Sequence, residues 1–189
     1  TGSATISSPP HQLADLWPRV LLPSVAKAEA PRLAELSAAN WQWLTAQALR
    51  HGVAPLWYAT VQTLLPKIAA SAALQPLHQP CRQAAMVALL RATELRRVLE
   101  ALTDAGIQPV VFKGAALAHT LYPSPACRPM SDLDLWVTHD DMPTAIRALS
   151  TLKYQLYEKE HRPHALTEAA DGEVQMRPGQ PGQGLVELH

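Results

Sequence analysis

At Gly106 the sequence changes period, and that change limits the fold more than any other feature. Up to it, apolar residues recur at helical spacing; beyond it, short runs alternate apolar and polar. The first part is rich in Ala, Leu, Gln and Arg, all good helix formers. Prolines 18, 23, 31, 55, 66, 76 and 80 cut it into short helices, since each lacks an N–H and clashes with the preceding turn. Pro31 is suited to a first helical turn and predicts a helix over 31–49, with Leu33, Leu36, Trp43 and Leu44 at roughly helical spacing. A second helix is expected over 55–65. The longest runs from about Pro80 to Asp104, where Met86, Leu89, Leu90, Leu95, Val98, Leu99 and Leu102 form a wide apolar stripe. Arg91, Glu94, Arg97 and Glu100 are interleaved with it. Gly106 suits the left-handed turn that ends such a helix. The expected role of this half is helical packing.

Beyond Gly106, Pro109–Phe112 is too short and too β-branched for a helix and predicts a strand. A two-turn helix follows over 115–122, stopped by Pro123 and Pro125. Ser131-Asp132-Leu133-Asp134-Leu135-Trp136-Val137 alternates strictly and predicts a half-buried strand. A helix is expected over 141–151, opened by Asp140 or Asp141. Strands are expected over 153–158, 173–177 and 185–189, with a loop or short helix over 161–172. The fold class is therefore α+β: a helical region over 1–105, then a small mixed β-sheet with flanking helices over 106–189. The chain starts without Met and stops in an unfinished strand, so a piece of a longer protein is expected.

Charge removes one function class. Sixteen Lys and Arg balance sixteen Asp and Glu, whereas a generic nucleic-acid binder carries a basic excess. No run approaches a membrane span, and Cys81 and Cys127 form neither a disulfide framework nor a zinc pattern. A cytoplasmic protein with reduced thiols is expected.

Asp132 and Asp134 are the sharpest chemical feature. Residues two apart on a strand share a face, so Leu133, Leu135 and Val137 point to the core while the two carboxylates stand side by side on the other face. Carboxylates that close repel unless a proton or cation lies between them, and hard oxygen donors suit Mg²⁺ or Mn²⁺. Lys113-Gly114 lies at a strand-to-helix junction, where a helix N-terminus offers free N–H groups to a phosphate. Arg128 precedes the acidic strand and can meet a phosphate or an aspartate. Glu187 offers a third carboxylate beside His189, with Glu173 its competitor. Trp136 shares the aspartate face and is expected to border the ligand; the other four tryptophans are expected to pack helices. His161 and His164 are expected to be solvated loop residues, and His119 structural.

These residues occur in an order that resembles a known family. Val111-Phe112-Lys113-Gly114-Ala115-Ala116-Leu117, Leu121-Tyr122, Arg128, Ser131-Asp132-Leu133-Asp134-Leu135 and Val186-Glu187-Leu188-His189 look like the uncharacterised bacterial nucleotidyltransferase family of the DNA polymerase beta superfamily. The resemblance implies a polymerase-beta-like core and transfer of a nucleoside monophosphate from an NTP to an acceptor hydroxyl, with release of pyrophosphate. The acceptor is left open among a sugar, a protein, an antibiotic and RNA. It implies Asp132, Asp134 and Glu187 as catalytic residues and ligands of Mg²⁺ or Mn²⁺. Lys113, Gly114, Arg128, Ser131 and His189 are implied as substrate-binding. Many members of the wider superfamily carry Gly-Ser at the phosphate turn, and here Ala115 follows Gly114. That departure is compatible with the alternative, a non-catalytic interaction or regulatory protein retaining the fold.

Overall fold

The computed structural model describes residues 11–157 and 173–189. The expected loop over 161–172, with His161 and His164, lies outside them. The chain forms two compact units, one ending at Ala85 and one spanning Met86–His189, with the division inside a single long helix.

The first unit is helical: α1 (His11–Arg19), α2 (Pro23–Ala34), α3 (Ala38–Arg50), α4 (Ala54–Leu64), α5 (Pro66–Ala69), a 3₁₀ turn at Ala72–Leu77, and the start of α6 (His78–Asp104). Trp57, Leu16, Leu33, Leu44, Leu74 and Leu77 are fully buried in its core. Trp17 meets Trp57 edge-on at 5.4 Å, and Trp43 packs at the margin, so these tryptophans are core, as expected. One expectation fails. Pro31 lies inside α2 instead of opening a helix, and α3 starts at Ser37, whose hydroxyl accepts from the Asn40 amide. A side-chain cap satisfies an orphan N–H, whereas proline in a first turn is merely tolerated, so Ser37 was the stronger start signal.

The second unit is a five-stranded sheet in the order β1-β2-β5-β4-β3, with β1 (Val110–Val111), β2 (Asp132–Trp136), β3 (Gln155–Leu156), β4 (Val174–Arg177) and β5 (Leu185–Leu188). β2 and β5 run parallel and the other pairs antiparallel, so the sheet is mixed, as expected. α7 (Lys113–Thr120) follows β1, and α8 (Met142–Thr151) follows β2 through a 3₁₀ turn at His139–Asp141. Asp141 stands at the N-cap of α8, as expected, though without a side-chain cap; the turn before it is capped by Thr138, whose hydroxyl accepts from the Asp141 amide. Leu133, Leu135 and Val137 meet Val186, Leu188, Val174 and Met176 in the core, closed by Val98 and Leu102 of α6 and Leu149 of α8.

The expected stripe along α6 is covered only in part. Val98 and Leu102 are buried and Leu95 and Leu99 half-buried, but Met86 and Leu89 are 66% and 71% exposed and Leu90 is also exposed. Glu94, interleaved with the stripe, is buried. Periodicity identifies an apolar face without saying how far along a helix of 27 residues the sheet extends. Gly106 does end α6 with a positive φ of 82°, and the Ile107 amide reaches back to the Leu102 carbonyl.

Candidate active site

The register of β2 against β5 creates the site. Asp134 pairs with Glu187 and Leu135 with Leu188, so both acids stand on the face opposite the core. Asp132 lies on that face two residues earlier. Together with Lys113, Gly114, Arg128, Pro129, Met130, Ser131, Asp134 and Glu187 it lines an open cleft of about 590 Å³.

Asp134 is the buried centre of the cleft. Lys113 Nζ donates to its Oδ1 at 2.7 Å, and His189 Nε2 lies 3.2 Å from the same oxygen. The Glu187 carboxylate comes within 4.0 Å of the imidazole, and Phe112 packs edge-on against that ring at 4.9 Å. Ligand atoms of Asp134, Glu187 and His189 all lie within 4.8 Å of one another. Asp132 shares the cleft but stands outside this tight trio, and His189, expected to bind substrate, stands inside it.

Electrostatics follow from that crowding. Burial, then the negative charges of Glu173, Asp134 and Asp132, push the Glu187 carboxyl above its ordinary range, with Lys113 partly opposing them. The hydrogen bond to Asp134 holds the half-exposed Lys113 as an ammonium, its pKa raised. A metal ion fits this set. The donors are two carboxylates and an imidazole.

Lys113 brings a feature that spacing does not reveal. Its φ is +47°, in the left-handed region that costs an L-residue roughly 1–2 kcal/mol. The strained turn is therefore at Lys113, and Gly114 beside it has no positive φ. A Cβ on Gly114 would touch Met130 Cβ at 3.7 Å, an ordinary contact. The glycine is thus neither a conformational nor a steric necessity, and it leaves the backbone at the start of α7 open to a ligand. Residues held in such conformations cluster at ligand clamps.

Gln175 is the site residue that motif spacing missed. It lies opposite Glu187 on β4, and its amide donates to Glu187 Oε1 at 3.0 Å and to Glu173 Oε1 at 3.1 Å. The signal was its place between buried Val174 and Met176, which turns it to the acidic face. Glu173 therefore stands beside Glu187 as a neighbouring charge. Arg128 lines the cleft with a long contact to the Pro129 carbonyl at 3.5 Å. Trp136 is half-exposed on the aspartate face, but it is not among the residues lining the cleft, against expectation.

A family described as uncharacterised nucleotidyltransferase matches residues 37–189, a span that contains every residue of the cleft. The chain belongs to this family. Searches of curated proteins and of solved structures returned no match. The family makes the protein a nucleotidyltransferase in the general sense and gives the α+β sheet its class. Among the described residues no helix of this nucleotidyltransferase is long and apolar enough to cross a membrane, and Cys81 and Cys127 carry no disulfide.

Proposed function

We propose that the cleft moves a nucleoside monophosphate from an NTP to an acceptor hydroxyl and releases pyrophosphate. Asp132, Asp134 and Glu187 would hold a divalent cation, Mg²⁺ or Mn²⁺. The observation that carries this reading is the pairing of Asp134 with Glu187 across parallel strands, with the Lys113 ammonium 2.7 Å from Asp134 in a chain of this family.

The acceptor oxygen attacks the α-phosphorus, forming one P–O bond while the bond to the β-phosphate bridge breaks. The acceptor proton passes to Glu187, whose raised pKa makes it a better base than an ordinary carboxylate. Lys113 and Arg128 meet the charge on the departing pyrophosphate, and the amides at the start of α7 and the Ser131 hydroxyl orient the phosphates. When bound, the cation neutralises phosphate charge and makes the acceptor hydroxyl more acidic. His189 positions Asp134 through the contact at 3.2 Å. The neutral overall charge favours an NTP and one specific acceptor over generic nucleic acid.

Labelled NTPs offered to acceptor mixtures with Mg²⁺ or Mn²⁺ test the reading. Asp132→Asn and Asp134→Asn are each expected to lower transfer by about 10²–10³-fold or more with the fold intact. Transfer unchanged in both variants overturns it. The rival is a binding protein that keeps the fold, and one observation favours it: Lys113 already neutralises Asp134 without any ion. NTP binding without turnover, unaffected by a chelator, would select that rival.

A further inference from the structure

We propose that Glu94, with Arg91 and Tyr154, is a positioning cluster that fixes the start of β5 and so holds Glu187 opposite Asp134. Its catalytic purpose rests on the transfer reading above; its structural content does not.

Glu94 is a buried carboxylate on α6, facing the core of the second unit. Its Oε1 accepts from the Gly184 amide at 2.7 Å and from the Tyr154 hydroxyl, and its Oε2 pairs with Arg91 Nη1. Arg91 Nη2 donates to the Gly182 carbonyl at 3.1 Å. The turn before β5 is therefore gripped by a carboxylate on one backbone N–H and by a guanidinium on a carbonyl two residues earlier. Burial and the neighbouring carboxylate push the Tyr154 phenol well above its ordinary range, so it remains a donor.

The grip falls at the position that decides the register. Gly184 immediately precedes β5, and its backbone lies against the Ser131 carbonyl just before β2. A Cβ there would stand 2.7 Å from that oxygen and would also collide with Arg91 Nη1. Asp132 then pairs with Leu185 and Asp134 with Glu187. A slip of one residue would turn Glu187 into the core and Val186 and Leu188 out of it. A well-packed apolar side chain at position 94 would serve the core at less desolvation cost. What a carboxylate adds is a directional hold on one amide. The hold has something to resist, because a cavity of about 190 Å³, lined by Thr93, Tyr154, Gln180 and Gln183 among others, gives the turn room to shift.

The test uses the full chain. Amide exchange is followed by mass spectrometry over 182–188, Mn²⁺ affinity by electron paramagnetic resonance, and transfer by its split into kcat and KM. Glu94→Ala is expected to speed exchange over 182–188, weaken Mn²⁺ about tenfold or more, and lower kcat more than it raises the KM for NTP. Glu94→Gln keeps an acceptor for the Gly184 amide and is expected to recover most of both losses. Leu44→Ala, a truncation in the separate core of the helical unit, should lower stability while moving neither exchange over 182–188 nor Mn²⁺ affinity. Should Glu94→Ala not fold, Tyr154→Phe replaces it, with a smaller rise in exchange expected. Exchange unchanged in the variant used, Mn²⁺ affinity held while exchange rises, or equal effects from Leu44→Ala would each overturn the proposal. A wild-type protein that binds no Mn²⁺ and transfers nothing would overturn the transfer reading, and the clamp would then be decided by the exchange comparison.

Discussion

At Glu187 the forces that build the site work against the fold. Its pKa is raised by burial first and then by Glu173, Asp134 and Asp132, so the folded state holds this proton more tightly than the unfolded chain does. Stability is therefore lost as pH rises from the ordinary carboxylate value to the raised one, and regained on acidification. Glu187→Gln removes the term. The variant is expected to melt at a higher temperature than the parent at neutral pH, with the gap closing in acid, while transfer falls. Melts across the carboxylate range, compared with the rate in the same buffers, check both halves. Lys113 separates backbone from side chain in the same way. With its φ at +47°, Lys113→Gly should be more stable than Lys113→Ala by roughly 1 kcal/mol in urea unfolding. Both variants should lose NTP affinity to a similar extent, because the lost ammonium is common to them. If Lys113→Gly retained the affinity, the ammonium would not be the phosphate contact.

Register decides more than any single contact at the scale of strands and helices. Alternation in 131–137 and 185–188 made β2 and β5 legible and already set Asp132, Asp134 and Glu187 on solvent faces, since period two needs no partner to be recognised. Which strands are neighbours was not legible, because pairing is a long-range choice that no local pattern encodes. The partners of Arg91 and Glu94 were not legible for a related reason. In the sequence they are charges interleaved with an apolar stripe, and only the return of Gly182–Gly184 against α6 gives them backbone partners, the exposed Gly182 carbonyl and the buried Gly184 amide. Gln175 escaped notice because a neutral amide on a strand carries no motif. Gly184 turns the register argument into a stability prediction. Gly184→Ala forces a methyl against the Ser131 carbonyl, and overpacking of this kind costs about 1–3 kcal/mol. Denaturant unfolding should show that loss, and Mn²⁺ affinity should fall with it. A stable Gly184→Ala protein with full affinity would mean that the two strands hold their register without the close approach.

Over the whole molecule, stability and ligand binding can be read independently, because the two cores share no residue and, apart from Met130, the cleft side chains belong to neither. Leu44 is fully buried in the helical unit, and Leu44→Ala is expected to cost about 2–5 kcal/mol through lost transfer energy and a residual cavity. A ligand that binds the folded state alone adds RT ln(1 + [L]/Kd), about 2.7 kcal/mol at a hundredfold excess over Kd, whatever the starting stability. The increment from NTP with Mg²⁺ should therefore be the same in Leu44→Ala as in the parent, on a lower baseline. Asp134→Asn should show the reverse, a nearly unchanged baseline with the increment removed, since its lost charge lies in the cleft and its core neighbours Leu133 and Leu135 remain. Equilibrium unfolding of the three proteins, each with and without nucleotide, separates the outcomes. An increment that vanished in Leu44→Ala would tie nucleotide binding to the helical core. One that survived in Asp134→Asn would remove Asp134 from the binding of nucleotide and cation.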